Sequence, residues 1–131
     1  MKERISKTLK NAEGFITLPG TEGNEFIYLN EIVSLEATIN EHTIISLISS
    51  EKVEIVRCIS EIASLLPGNV FMECIRYKYV NIRYIRRHRK STIKPRLYQL
   101  LLADGNCISC NLNYDKLKSR IEYMQQIKIY D

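Results

Sequence analysis

The stretch from Cys74 to Ala103 carries Arg76, Lys78, Arg83, Arg86, Arg87, Arg89, Lys90, Lys94 and Arg96 and not one Asp or Glu. The whole chain has a formal charge of +4, so this stretch is +9 and the remainder −5. A surface that only has to stay hydrated mixes the two signs. Segregation on this scale fits a polyanionic partner instead. Tyr77, Tyr79 and Tyr84 interleave with the cations, a pattern that can stack the bases of a single strand. Aromatic residues in strands more often form core and cross-strand pairs, and that reading is preferred here.

The four cysteines lead to no comparable chemistry. Cys107-Ile108-Ser109-Cys110 is a C-x-x-C, but on a strand a spacing of three sends the two sulfurs to opposite faces. There is no second C-x-x-C and no histidine near it to complete a tetrahedral zinc site. Cys58, Cys74, Cys107 and Cys110 are therefore read as reduced structural thiols, with no metal and no cofactor. G-x-x-x-x-G-K, G-x-S-x-G and H-E-x-x-H are all missing, and His42 and His88 lie far apart in sequence. The chain does not read as an enzyme, and no small-molecule substrate is expected. No apolar run reaches the ~18 residues of a membrane span, and no secretory leader follows Met1. A cytoplasmic protein that does not engage a membrane is the expectation.

The elements that must position these cations are mainly strands. Residues 1–24 read as an accessory segment, with Ile5 and Leu9 on one helical face and a loop marked by Gly14, Pro19, Gly20 and Gly23. From Glu25 onward, Phe26–Leu29, Ile32–Leu35, Thr43–Ile48 and Lys52–Val56 carry strand signals, with Val53 and Ile55 facing inward. Ser49–Glu51 reads as a hairpin turn. Ile59, Ile62, Leu65 and Leu66 share one face of a short helix stopped by Pro67-Gly68. Phe71–Ile85 returns to strand, Arg86–Pro95 reads as a basic loop, and Leu97–Leu102 as a strand buried on both faces. Asp104-Gly105 predicts a type I′ hairpin turn into the last strand. A final helix follows, with Leu117, Ile121 and Met124 on one face and Asn113 or Asp115 as its N-cap. The pattern lacks the helix trio of helix-turn-helix and homeodomain readers.

Three stretches give the order more meaning. The first is Ile27-Tyr28-Leu29-Asn30-Glu31-Ile32-Val33-Ser34-Leu35-Glu36-Ala37. The second runs from a short amphipathic helix at Ile59 through Leu66-Pro67, Phe71 and Arg76 to Val80-Asn81. The third is Leu100-Leu101-Leu102-Ala103-Asp104-Gly105-Asn106-Cys107-Ile108, followed by Tyr114 and Leu117. Together they resemble the LytTR domain, the DNA-binding output module of many bacterial response regulators, over most of Glu25–Tyr123. The resemblance implies a mainly β fold: an elongated arrangement of small antiparallel sheets with one short middle helix and a C-terminal helix. Residues 25–131 would form that domain and 1–24 its accessory segment. The length leaves no room for a receiver domain beside it. Glu73 and Ile75 stand where the family usually has basic or polar residues, and Cys110-Asn111 where it usually has Ser-Arg.

The resemblance further implies that loops, not a helix, enter successive major grooves of duplex DNA. His42 matches a place where the family puts a DNA-contacting polar side chain. Arg76 suits the two acceptors on guanine's major-groove edge, Asn111 or Asn113 suits adenine, and Lys78 lies beside Arg76. Arg86, Arg87, His88, Arg89, Lys90, Lys94 and Arg96 suit phosphates, which fix register without reading sequence. Asn81 is expected to be structural, tying down the turn after Val80. The reading is a bacterial transcription regulator on double-stranded DNA, on a repeated site bound by two copies. Glu73, Ile75 and Asn111 keep a second reading open: a degenerate scaffold of this kind acting as a protein-interaction module.

Overall fold

The computed structural model describes residues 14–90, 97–111 and 116–122. Ten strands dominate: β1 (Phe15–Gly20), β2 (Gly23–Tyr28), β3 (Ile32–Ala37), β4 (Thr43–Leu47), β5 (Lys52–Ile55), β6 (Phe71–Ile75), β7 (Lys78–Asn81), β8 (Ile85–Lys90), β9 (Tyr98–Leu102) and β10 (Cys107–Cys110). They form a seven-stranded sheet in the order β2-β1-β5-β4-β3-β7-β6 and a three-stranded sheet in the order β10-β9-β8. Every pairing is antiparallel. Helix α1 (Ile59–Leu65) lies between β5 and β6, and a second helix, α2, spans 116–122.

Alternation explains the large sheet. Thr43, Ile45 and Leu47 of β4 and Val53 and Ile55 of β5 point into the core, where they meet Ile32, Val33 and Leu35 of β3. Polar Thr43 is accommodated because its hydroxyl donates to the Arg57 carbonyl at 2.9 Å, which removes the cost of an unmade hydrogen bond. Helix α1 buries Ile59 and Ile62 against this core, with Leu66 just beyond it. Pro67 holds Leu66 in extended backbone and so stops the helix. Leu65, expected on the same face, is exposed instead.

Asn81, the last residue of β7 and the cap of a 3-10 turn at Ile82–Tyr84, is fully buried. Its amide donates to the Ile32 carbonyl at 2.9 Å and its carbonyl accepts from the Arg83 backbone at 2.9 Å. Both halves of the side chain are used, and β3 is tied to the start of the small sheet.

Four sequence expectations need correcting. Phe15–Gly20, read as loop around Pro19 and Gly20, is a strand with Leu18 in the core. The helix expected before it lies outside the described residues. The first half of the supposed basic loop, through Lys90, is β8, a strand paired along its length with β9. Strand β9 is buried on one face, with Leu100 and Leu102 inside and Gln99 and Leu101 only partly covered. At the β9–β10 hairpin only Gly105 has a positive φ, 90°, so the turn is not type I′, which needs two such residues. Ala103-Asp104 instead occupy a turn closed by Gly105 N–H to Leu102 O at 2.9 Å, and Gly105 follows as the left-handed residue.

Candidate nucleic-acid interface

Register gathers the proposed base-reading residues at one end of the large sheet. Ala37, the last residue of β3, pairs with Thr43, so the loop 38–42 with His42 caps that end. The Ala37 N–H also donates to the Tyr77 carbonyl at 3.0 Å, which seats the Arg76-Tyr77 turn beside the loop. On the far side of the turn, the Asn111 N–H donates to the Cys74 carbonyl at 2.7 Å. This bond docks the end of β10 on β6 and brings the small sheet to the same end. His42, Arg76, Lys78 and Asn111, spread over 70 positions of sequence, thus meet on one rim.

Each is held differently. His42 Nδ1 lies 2.7 Å from Glu54 Oε2, and an ionised carboxylate only accepts. The Nδ1 proton therefore faces Glu54, which leaves Nε2 for a partner outside. Sequence reasoning missed Glu54, although the alternation that buries Val53 and Ile55 also turns it to the outer face. Lys78 Nζ is 3.4 Å from Glu36 Oε1, its cross-strand neighbour, so its charge is already engaged. Arg76 sits in the two-residue turn and not on a strand, with its guanidinium 4.8 Å from the centre of the Tyr77 ring. Tyr77 has φ 69°, an uncommon conformation for a bulky residue, and its ring is half exposed. Asn111 is exposed at the end of β10. Asn113, Lys94 and Arg96 lie outside the described residues.

The cations of β8 fall into two sets. Arg87 pairs with Leu101 and Arg89 with Gln99, and these rows continue across β9 to Cys107 and Ser109. Arg87 and Arg89 therefore share the outer face of the small sheet, where Arg89 Nε donates to Gln99 Oε1 at 3.2 Å. Arg86 lies at an irregularity in register and reaches the Arg83 carbonyl at 3.4 Å. Lys90 is exposed, level with Tyr98 and Cys110. Two strand spacings, roughly 10 Å, thus separate Lys90 from the strand end that leads into Asn111. His88 pairs with Leu100 and is half-buried on the inner face, less well placed for phosphate than its neighbours.

The thiols sort as their strand positions require: Cys107 is exposed and Cys110 buried. Cys74 is buried at the base of the Arg76 hairpin, and burial, with the neighbouring Cys110 adding to it, pushes its thiol up to about 12. Among the described residues no group of three His, Cys, Asp or Glu side chains is placed to hold a metal ion. No described helix is long and apolar enough to cross a membrane.

No protein-family model and no curated protein matches the chain. Solved structures do. One from Bacillus cereus, described as the LytTr DNA-binding domain of a response regulator, superposes with a TM-score of 0.63. The match covers 86% of this chain and 94% of that one at 20% identity. The fold is LytTR-like. The mainly β architecture with antiparallel sheets and two short helices, expected from the three sequence stretches, is the one observed. In this LytTR-like fold the described candidates of the large sheet share one rim, and Arg87 and Arg89 share one face of the small sheet.

Proposed function

We propose that the protein is a transcription regulator that binds duplex DNA, with the rim at the end of the large sheet meeting base edges in the major groove. The observation that carries this is the convergence of Arg76, His42 and Asn111, none of them adjacent in sequence, beside an acid-free basic strand. Arg76, pre-oriented by Tyr77, offers a planar fork for guanine. Asn111 offers the donor and acceptor that adenine matches, and His42 presents Nε2. Arg86, Arg87, Arg89 and Lys90 meet phosphates and set register. The solved LytTr domain it resembles is described as DNA-binding, which supports the same reading. A repeated site occupied by two copies fits a domain this small, since one copy covers few base pairs.

The test is a salt titration of binding to random duplex, followed by selection from a randomised duplex library. Steep salt dependence and a recovered repeated motif support a sequence-specific regulator. Absence of binding even at low salt overturns it and favours a protein-interaction module. That second reading has an observation of its own: Phe15, Phe26 and Tyr28 share the outer face of the β1–β2 ribbon, with Phe26 72% exposed.

A further inference from the structure

Ile39 is 99% exposed, so its side chain serves no packing purpose within the described fold. A single exposed apolar residue is ordinary on a protein surface, but this one sits on a tightly cross-linked loop beside the candidate base-reading residues. The Thr38 N–H donates to the His42 carbonyl at 2.9 Å and the Glu41 N–H to the Thr38 carbonyl at 3.2 Å. The Thr38 hydroxyl accepts from the N–H groups of Asn40 and His42, both at 3.2 Å. His42 is in turn anchored to Glu54 at 2.7 Å. The loop backbone is therefore held next to the Arg76-Tyr77 turn, and a contact by Ile39 there costs little backbone ordering.

We propose that Ile39 reads the 5-methyl group of a thymine in the major groove, an inference that rests on the duplex-DNA reading above. The methyl is the one apolar feature that distinguishes a base pair in that groove, and aliphatic side chains recognise it by contact. Arg76, Asn111 and Ile39 then supply three kinds of readout on one rim: a donor fork, a donor–acceptor amide and an apolar contact.

The experiment takes the duplex recovered by selection and replaces each thymine, one at a time, by deoxyuridine, which removes only the methyl. The wild type is expected to lose about fourfold in affinity at one position of each repeat, the worth of one buried methyl. Ile39→Ala should lose a similar factor on the unmodified duplex and become insensitive to deoxyuridine at that position. Ile39→Val should retain most of the effect. Because Ile39 is exposed, its variants should melt with the wild type, which keeps folding out of the comparison. Equal responses of wild type and Ile39→Ala at every position, or a selected motif without thymine, overturn the proposal while leaving DNA binding intact. Failure to bind any duplex removes both readings together.

Discussion

The rim of the large sheet and the outer face of the small one both carry cations, yet they are built on different plans. On the rim, three polar side chains are restrained: His42 by Glu54, Lys78 by Glu36, and Arg76 by the ring of Tyr77. On β8, Arg86, Arg87, Arg89 and Lys90 form no ion pair among the described residues. Restraint is what selectivity needs, because a fixed donor rejects the wrong acceptor. Uncompensated charge is what attraction needs, because a phosphate accepts a cation from many directions. The chain gives acids to one region and withholds them from the other, as a division between reading and holding DNA would require.

Reversing charge on β8 should have the largest effect. Arg86→Glu, Arg87→Glu and Arg89→Glu together should weaken binding to every duplex by roughly a hundredfold or more at low salt. They should also lower the slope of log affinity against log salt by about 0.9 per lost phosphate contact. If only the selected site is affected, β8 reads bases and the division of labour is wrong. Arg76→Ala should cost about 1–3 kcal/mol on the selected site, the range for one bidentate base contact. Its binding to random duplex should hardly change, as measured by competition. Equal loss on both DNAs would move Arg76 into the phosphate-binding class. Glu54→Gln leaves the His42 side chain present but removes the charge that orients it. A loss of about threefold to tenfold is expected, the difference between a charge-assisted hydrogen bond and the neutral one that Gln can still accept. An unchanged affinity would mean that the orientation of His42 does not matter.

The smallest effect should come from Cys107, which lies in the same cross-strand row as Arg87. Modification by a negatively charged thiol reagent should weaken binding a few-fold. Cys74 should resist the same reagent at neutral pH, because its thiol, pushed up to about 12, stays protonated as well as buried. Mass spectrometry of the labelled protein checks both, and rapid labelling of Cys74 in the folded protein would contradict the packing described.

Sequence reading succeeded where burial enforces a simple period. Val53 and Ile55 alternate into the core, and Asn81 has so little room that its structural role is visible from its place after Val80. It failed at β8 because a strand with cations at most positions has no apolar alternation to detect; β9 supplies the missing pattern from the neighbouring strand. It failed at β1 because Pro19 and Gly20 signal a loop. Their place is tolerated because β1 meets β5 in register only at Gly20–Ile55. Gly20 also allows a close approach, since a Cβ there would lie 2.8 Å from the Gly23 carbonyl. For the site, residue types named Arg76 and Asn111, but only register could bring them together. Ile39 gave no signal, because an isoleucine in a polar loop has an ordinary explanation, and Tyr77 read as a cross-strand aromatic instead of a partner for Arg76.

The narrow attachment of β1 has a consequence in time as well as in space. Six residue pairs join β1 to β2, but the ribbon reaches β5 through one registered pair and two flanking hydrogen bonds, Thr21 N–H to Glu54 O and Val56 N–H to Pro19 O. An element held by so short a seam can detach without dissolving the rest of the sheet. Its amide protons should therefore exchange with solvent as one group, earlier than those of β3 and β4. The rim that carries Arg76 and His42 belongs to the more durable part of the molecule.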